Sequence, residues 1–386
     1  MEKDNKRPEI GTFSGFHSVH FYSGNSKQSA QYYTSKFGFN PLAYCGLETG
    51  NREFATHVIS NGKVIFAFST AYENKTEKQK DFYRFLEQHG DGVKEIVFNI
   101  DSVENAFKVA TNRGAKPYEE VTKIEDKNGK GFITRCAFEV QKDTSLVLLD
   151  KSNYKGTYLP GFQENLPVDP INNFIPTPKL NFIDHIVSNH GLGDMEPTVN
   201  WYLKMLDFHV FWSVDDKIIH TEYSSLKSTV VADFDETIKM PQNEPAVGKR
   251  GKSQIQEYVD YYMGSGVQHI ALNTNDIIAT ISNLRSRGLE FLKVPKTYYD
   301  NLRKRLEASP IKVKEDLDKI EELGILVDFD DKGYLLQLFT KNLQDKPTFF
   351  IEFIQRANND GFGAGNFKSL FEAIEREQQE RGNLLN

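Results

Sequence analysis

Apolar and polar positions alternate along this chain in a pattern that occurs twice. From Ser18, the run SVHFYS has the short, β-rich spacing of a strand. SKQSAQYYTSKF then spaces its apolar residues as an amphipathic helix does, and NPLAY returns to strand. From Asp184, DHIVSN, MEPTVNWYLKML and FHVFW follow in the same order. A second pair of segments repeats as well. GDGVKEIVFNIDSVENAFKVATNRGAK, from Gly90, parallels GSGVQHIALNTNDIIATISNLRSRGLE, from Gly264. Each reads as a turn, a strand, and a helix with apolar residues three and four apart. Gly114 and Gly288 stand where those helices should stop, because glycine enters the left-handed C-cap conformation freely.

Each half therefore holds two βα-type units, and internal duplication of this kind governs the fold. The expected class is α+β, with tandem βαβββ modules in two related domains. The first domain is expected at 1–157 and the second at 180–386. Between them, 158–179 carries Pro160, Pro167, Pro170, Pro176 and Pro178. Proline fixes φ and lacks the backbone donor, so this stretch is read as a linker. Two later features follow the second repeat. Residues 300–323 are charged and helical in pattern, interrupted by Pro310. The C-terminal FKSLFEAIEREQQERGN places Phe367, Leu370, Phe371 and Ile374 on one stripe, a helix for packing on the core. It follows the glycine-rich GFGAGN at 361–366, which would also let it act as a lid.

Composition narrows the setting. A chain of 386 residues is long enough for two or three domains. A net charge of −7 disfavours nucleic acid or an anionic membrane as the main partner. Two distant cysteines, Cys45 and Cys136, make no disulfide framework. The charged MEKDNKRPEIGTF lacks a secretory apolar core, and no run approaches the roughly 20 apolar residues of a membrane span. The expected location is the cytoplasm.

Three residues stand out chemically. His185 in NFIDHIVSN, His269 in GVQHIALN and Glu352 in TFFIEFIQR each sit inside an apolar strand. Glutamate is rarely buried unless paired or metal-bound. The three are spaced at intervals of 84 and 83 residues, and equivalent strands of paired modules can face one cavity. Two histidines and a carboxylate on one face of a metal, with open positions opposite, are the ligands of non-heme iron oxygenases. The first half serves as an internal control. There His20 is expected near the place of His185, Glu95 at that of His269, and Leu149 near that of Glu352, so a single site in the second half is expected. Other signals are weaker. His89-Gly90-Asp91 has an H-x-D spacing but aligns with the turn at Met263. His190 and His220 are read as surface or core residues, and 249–252 as a solvated basic loop.

Segments across the chain, FIDHIV, WYLKMLDFHVFWSVDD, IKMPQNEPAVGKRGKSQIQEYVDYY, GVQHIAL, GYLLQLFTK, FFIEFIQR and GFGAGNFKSLFEAIEREQ, together with GLETG and HGDGVKEIVF in the first half, resemble the 4-hydroxyphenylpyruvate dioxygenase family of the vicinal oxygen chelate superfamily. The resemblance implies one Fe(II) per chain on His185, His269 and Glu352. It implies polar substrate contacts from Ser228, Asn243, Gln254, Gln268 and Gln337, and an aromatic wall of Phe339, Phe350, Phe362 and Phe367. It makes the C-terminal helix a lid and gives the first half a role in structure and assembly, with a homo-oligomer, dimer or tetramer, expected. The implied reaction takes 4-hydroxyphenylpyruvate and O2 to homogentisate and CO2 in tyrosine catabolism. The 2-oxo acid belongs to the substrate, so no separate 2-oxoglutarate is needed. A hydroxymandelate synthase would share fold, metal and substrate; Pro241 and Asn243 in MPQNEP favour the dioxygenase. A metal-free binding module is the reading from another class, and the intact triad argues against it.

Overall fold

The computed structural model describes residues 7–164, 166–214, 225–246 and 251–385. The first half runs β1 (Phe13–Tyr22), α1 (Ser26–Phe37), β2 (Asn40–Cys45), β3 (Phe54–Asn61), β4 (Val64–Ala71), α2 (Glu77–His89), β5 (Gly92–Ile100), α3 (Val103–Asn112), β6 (Pro117–Glu125), β7 (Phe132–Gln141) and β8 (Thr144–Asp150). The second runs β9 (Ile183–Asn189), α4 (Met195–Met205), β10 (His209–Val214), β11 (Leu226–Ala232), β12 (Lys239–Pro245), α5 (Gln254–Tyr262), β13 (Gly266–Asn273) and α6 (Ile277–Ser286). It continues through α7 (Lys296–Glu307), α8 (Leu317–Leu323), β14 (Leu326–Phe329), β15 (Tyr334–Phe339), β16 (Phe350–Ala357) and α9 (Phe367–Glu380). Each half is thus two βαβββ modules, with α7 and α8 inserted into the last. The break at Pro310 falls between those two helices.

The two eight-stranded sheets have the same order, β2-β3-β4-β1-β5-β8-β7-β6 and β10-β11-β12-β9-β13-β16-β15-β14. In each, the first strands of the two modules meet antiparallel at the centre and are flanked by parallel partners. β9 and β13 are buried along their whole length. That is why they read as apolar runs rather than clean alternations. α1, α3, α4 and α6 pack on one face of the sheets, and the other face is concave. α3 and α6 are C-capped at Arg113 and Arg287, one residue before the glycines, with Gly114 and Gly288 at positive φ as expected.

One apolar core runs through both halves. Phe13 meets Phe208, Phe21 meets Phe349, and Phe37 stacks on Phe353. The proline-rich segment is a linker in sequence but is firmly held. Arg287 donates to the carbonyls of Ile175 and Pro176 and to the Asn172 amide oxygen at 2.8–3.1 Å. Asn61 donates to the Pro178 carbonyl at 2.9 Å.

The register corrects the alignment of the two halves. Ser18, not His20, is the counterpart of His185: Ser18 pairs with Val97 as His185 pairs with Ala271. Val147, not Leu149, is the counterpart of Glu352, since Val97 pairs with Val147 as Ala271 pairs with Glu352. Glu95 does match His269. Both errors are two residues long. Strand alternation settles which face a side chain takes but leaves shifts of two undetected. Bulges near His20 and near His269 hide the offset further.

Candidate metal centre

Neighbouring central strands build the site. His185 and Glu352 both lie level with Ala271, while His269 is level with Val187 and Phe350. Residues two apart share a face, so both histidines and the glutamate point into the concavity. Their ligand atoms lie within 4.8 Å of one another. Glu352 Oε2 is 3.3 Å from Nε2 of each histidine. All three side chains are buried.

The other ring nitrogens are occupied. His185 Nδ1 donates to Asp184 Oδ1 at 2.8 Å, and His269 Nδ1 donates to Gln268 Oε1 at 3.0 Å. A donor at Nδ1 leaves a lone pair on Nε2 facing the centre, the arrangement metal-ligating histidines use. Burial alone would lower the His185 pKa, but the Glu352 and Asp184 charges outweigh it and raise it. Burial lowers that of His269. Burial would raise the Glu352 pKa; the histidines overcome it and hold the carboxyl low. Two neutral-capable imidazoles and an ionised carboxylate, convergent and dry, fit a divalent cation. Without a positive charge among them, a buried carboxylate would be costly.

The same concave face carries the other candidates. Ser228, Asn243 and Asn189 form one cross-strand row over β11, β12 and β9. The Asn243 amide donates to Asn189 Oδ1 at 3.3 Å. Phe350 stacks on His269, with ring centroids 4.7 Å apart, and Phe339 meets the same imidazole edge-on. Phe362 meets His185 edge-on at 5.1 Å. Phe367 is a step further out, against Trp212 at 6.1 Å. Gln254 and Gln268 line a small cleft beneath α9, with Phe350 in its wall. Gln337 is buried, its Oε1 without a hydrogen-bond partner among the described residues. Gly363 has φ 73° and lies so close to Gln337 that a Cβ there would collide with the amide. The positive φ at that position of the turn therefore favours glycine.

α9 is fastened at its far end. Arg381 and Asn383 both bond the buried Glu257 at 2.9 Å. Leu370 and Phe371 turn inward as the stripe implied, and Phe371 packs with Leu226 and Ile255.

The weaker signals resolve as structural. His89 bridges the Tyr262 carbonyl and Asp143, and Asp91 accepts from Ser23 and Gly24. His190 is buried against Gln242 at 2.8 Å. His220, Lys249 and Arg250 lie outside the described residues, and Lys252 pairs with Asp260 at 3.1 Å. Sequence reasoning missed Asp184, Asn273 and Arg356, which hold His185 from behind, and Asn189. Asp184 adjoins the ligand candidate His185 in FIDHIV, which was the available signal; Arg356, four residues past Glu352, had none.

The fold and the site define a class first. A family model described as Glyoxalase/Bleomycin resistance protein/Dioxygenase superfamily matches residues 182–338. A solved structure of a mutant 4-hydroxymandelate synthase from Streptomyces coelicolor is 26% identical, with a TM-score of 0.78, covering 95% of this chain and 99% of that one. The sequence comparisons are more specific. The chain is 56% identical over 371 residues to a 4-hydroxyphenylpyruvate dioxygenase of Dictyostelium discoideum, covering 96% of this chain and all of the relative. It is 53% identical over 380 residues to the one of Danio rerio, covering 98% and 94%. The chain belongs to the 4-hydroxyphenylpyruvate dioxygenase family. Among the described residues no helix is long and apolar enough to cross a membrane.

Proposed function

We propose that this chain converts 4-hydroxyphenylpyruvate and O2 into homogentisate and CO2 at one Fe(II) held by His185, His269 and Glu352. The observation that carries the reading is the buried His-His-Glu cluster in a chain similar over its full length to enzymes of that name. Iron bound there supplies the activation of dioxygen. The protein's part is ligation, orientation and exclusion of water.

Asp184 and Gln268 keep the protons of both histidines on Nδ1. Ser228, Asn243, Gln254, Gln268 and Gln337 offer hydroxyl and amide groups to the polar ends of the substrate. Phe339 and Phe350 form the wall for its ring, and Phe362 and Phe367 close the site from the α9 side, where the helix serves as the lid. The Gln337 oxygen, without a partner among the described residues, is the kind of buried acceptor that a ligand hydroxyl would satisfy. The first domain, 1–157, supports structure and assembly. The same reading makes the protein a cytoplasmic homo-oligomer.

A hydroxymandelate-forming reaction is the second reading, raised by the structural likeness to 4-hydroxymandelate synthase. Incubating the purified protein with Fe(II), ascorbate, oxygen and 4-hydroxyphenylpyruvate, then separating the products, decides between them. Homogentisate is expected. Hydroxymandelate would keep the site and overturn the reaction.

A further inference from the structure

The side chain of Arg356 joins two parts of the molecule that the chemistry has to coordinate. Arg356 lies four residues beyond Glu352 on β16, and so on the same face of the strand. Its Nε and Nη2 grip both oxygens of Asp184, at 2.9 and 2.8 Å. Asp184 in turn accepts from His185 Nδ1 at 2.8 Å and from the Asn273 amide at 3.1 Å. The remaining nitrogen, Nη1, donates to the backbone carbonyls of Asn359 and Gly361, at 3.0 and 2.6 Å. Those carbonyls belong to the glycine-rich turn that leads into α9. The next residue, Phe362, lies between the two partners. Its ring is 5.8 Å from the guanidinium carbon and 5.1 Å from the His185 ring. The contacts close a circuit: His185, Asp184, Arg356, Gly361, Phe362 and back to His185.

We propose that Arg356 is a positioning residue that couples the orientation of His185 to the closed conformation of the turn before α9. The inference rests on His185, His269 and Glu352 being metal ligands. A carboxylate alone would orient the imidazole, and any cation would neutralise the carboxylate. Only a planar fork can hold both carboxylate oxygens and two carbonyls on its far side at once. Lysine is a point charge on a flexible stem and cannot span the two. A metal that fixes His185 from the front therefore also tightens the turn, through Asp184 and Arg356. Opening of the turn, conversely, withdraws Phe362 from the imidazole and loosens its backing. Binding and closure are then linked reciprocally.

The test uses the full chain with Co(II) as probe. Amide exchange across residues 359–366 is measured with and without the metal. Co(II) affinity, the visible Co(II) absorption bands, kcat and KM are measured for the wild type, Arg356→Lys and His269→Ala. Wild-type exchange across the turn is expected to slow about five- to tenfold on Co(II) binding. In Arg356→Lys this protection is lost, Co(II) binds roughly 10–100-fold more weakly with shifted bands, and kcat falls more than KM rises. The wild-type exchange measurement stands even if a variant folds poorly. Wild-type exchange that ignores Co(II), or an Arg356→Lys protein with native bands and native protection, overturns the coupling while the ligand assignment survives. Co(II) binding that His269→Ala leaves intact overturns the ligand assignment and the coupling with it.

Discussion

The two halves share a strand order and a concave face, yet they use that face in opposite ways. In the second half, three equivalent strand positions hold His185, His269 and Glu352. In the first they hold Ser18, Glu95 and Val147. Glu95 is not left alone. It meets His20 at 3.1 Å and Arg135 at 3.4 Å, and Arg135 reaches Glu119 at 2.9 Å. His20 continues the network through Ser69 to Thr56. A fixed cation inside the sheet thus does the neutralising that a bound metal would do in the second half.

The covers differ too. In each half the segment after the last strand closes the concave face. After β8 the described residues form no α-helix, and the aromatic residues there are built into the interior. Tyr158 packs on Ala43, Val58 and Ala67, and Tyr154 packs on Val97 and Val147. After β16 it is a glycine-containing turn and a helix, and its Phe362 rests on a metal-ligand candidate. One face is filled by aromatic side chains of the following segment. The other holds the candidate metal site and is covered by a turn and a helix. The two halves share one architecture, and they differ in the side chains at three positions and in the structure of the following segment.

The contrast can be broken most sharply at the centre itself. His269→Ala is expected to abolish metal binding and to lower turnover by roughly a thousandfold or more, with the fold retained. Metal content and homogentisate formation report it, and iron-dependent turnover at the native rate would end the assignment. Glu95→Gln, at the matching position of the first half, should leave metal content unchanged. Next comes the plug. Tyr158→Ala removes a buried aromatic ring and should cost about 3–5 kcal/mol of unfolding free energy. Metal affinity should stay native, as paired denaturant and Co(II) titrations would show. The smallest effect is acid sensitivity from His17, whose ring stacks near Tyr158. Burial, with the Lys151 charge, lowers its pKa to about 3 from 6.5. Between those values the unfolded chain binds the proton and the folded one does not. Stability is therefore lost as the pH falls through that window, by about 2 kcal/mol between pH 7 and pH 5. His17→Gln should remove that part of the slope in urea titrations at the two pH values.

Much of this was legible along the chain. The doubled period, the helix stops at glycine and the buried polar residues within apolar strands are local signals, and local signals survive in sequence. His185, His269 and Glu352 were visible because a charge or an imidazole inside FIDHIV, GVQHIAL or FFIEFI contradicts its surroundings. The register between halves was not legible, because alternation repeats every two residues. Arg356 was not, because an arginine at a strand end looks like an ordinary solvated residue. Its partners Asp184, Asn359 and Gly361 are joined only when β9 and β16 flank β13.

The sequence by itself determined the two-domain α+β architecture, the residue types of the candidate metal site and the family, since each rests on residue identity and periodicity. The tertiary structure alone decided which atoms converge. It brought three side chains from strands more than eighty residues apart within 4.8 Å, and put Asp184 and Gln268 behind the histidines. It closed the first-half face with Tyr158. Those outcomes depend on register and on the path of the chain after its last strand, and both are set by packing across the whole molecule rather than by any segment of it.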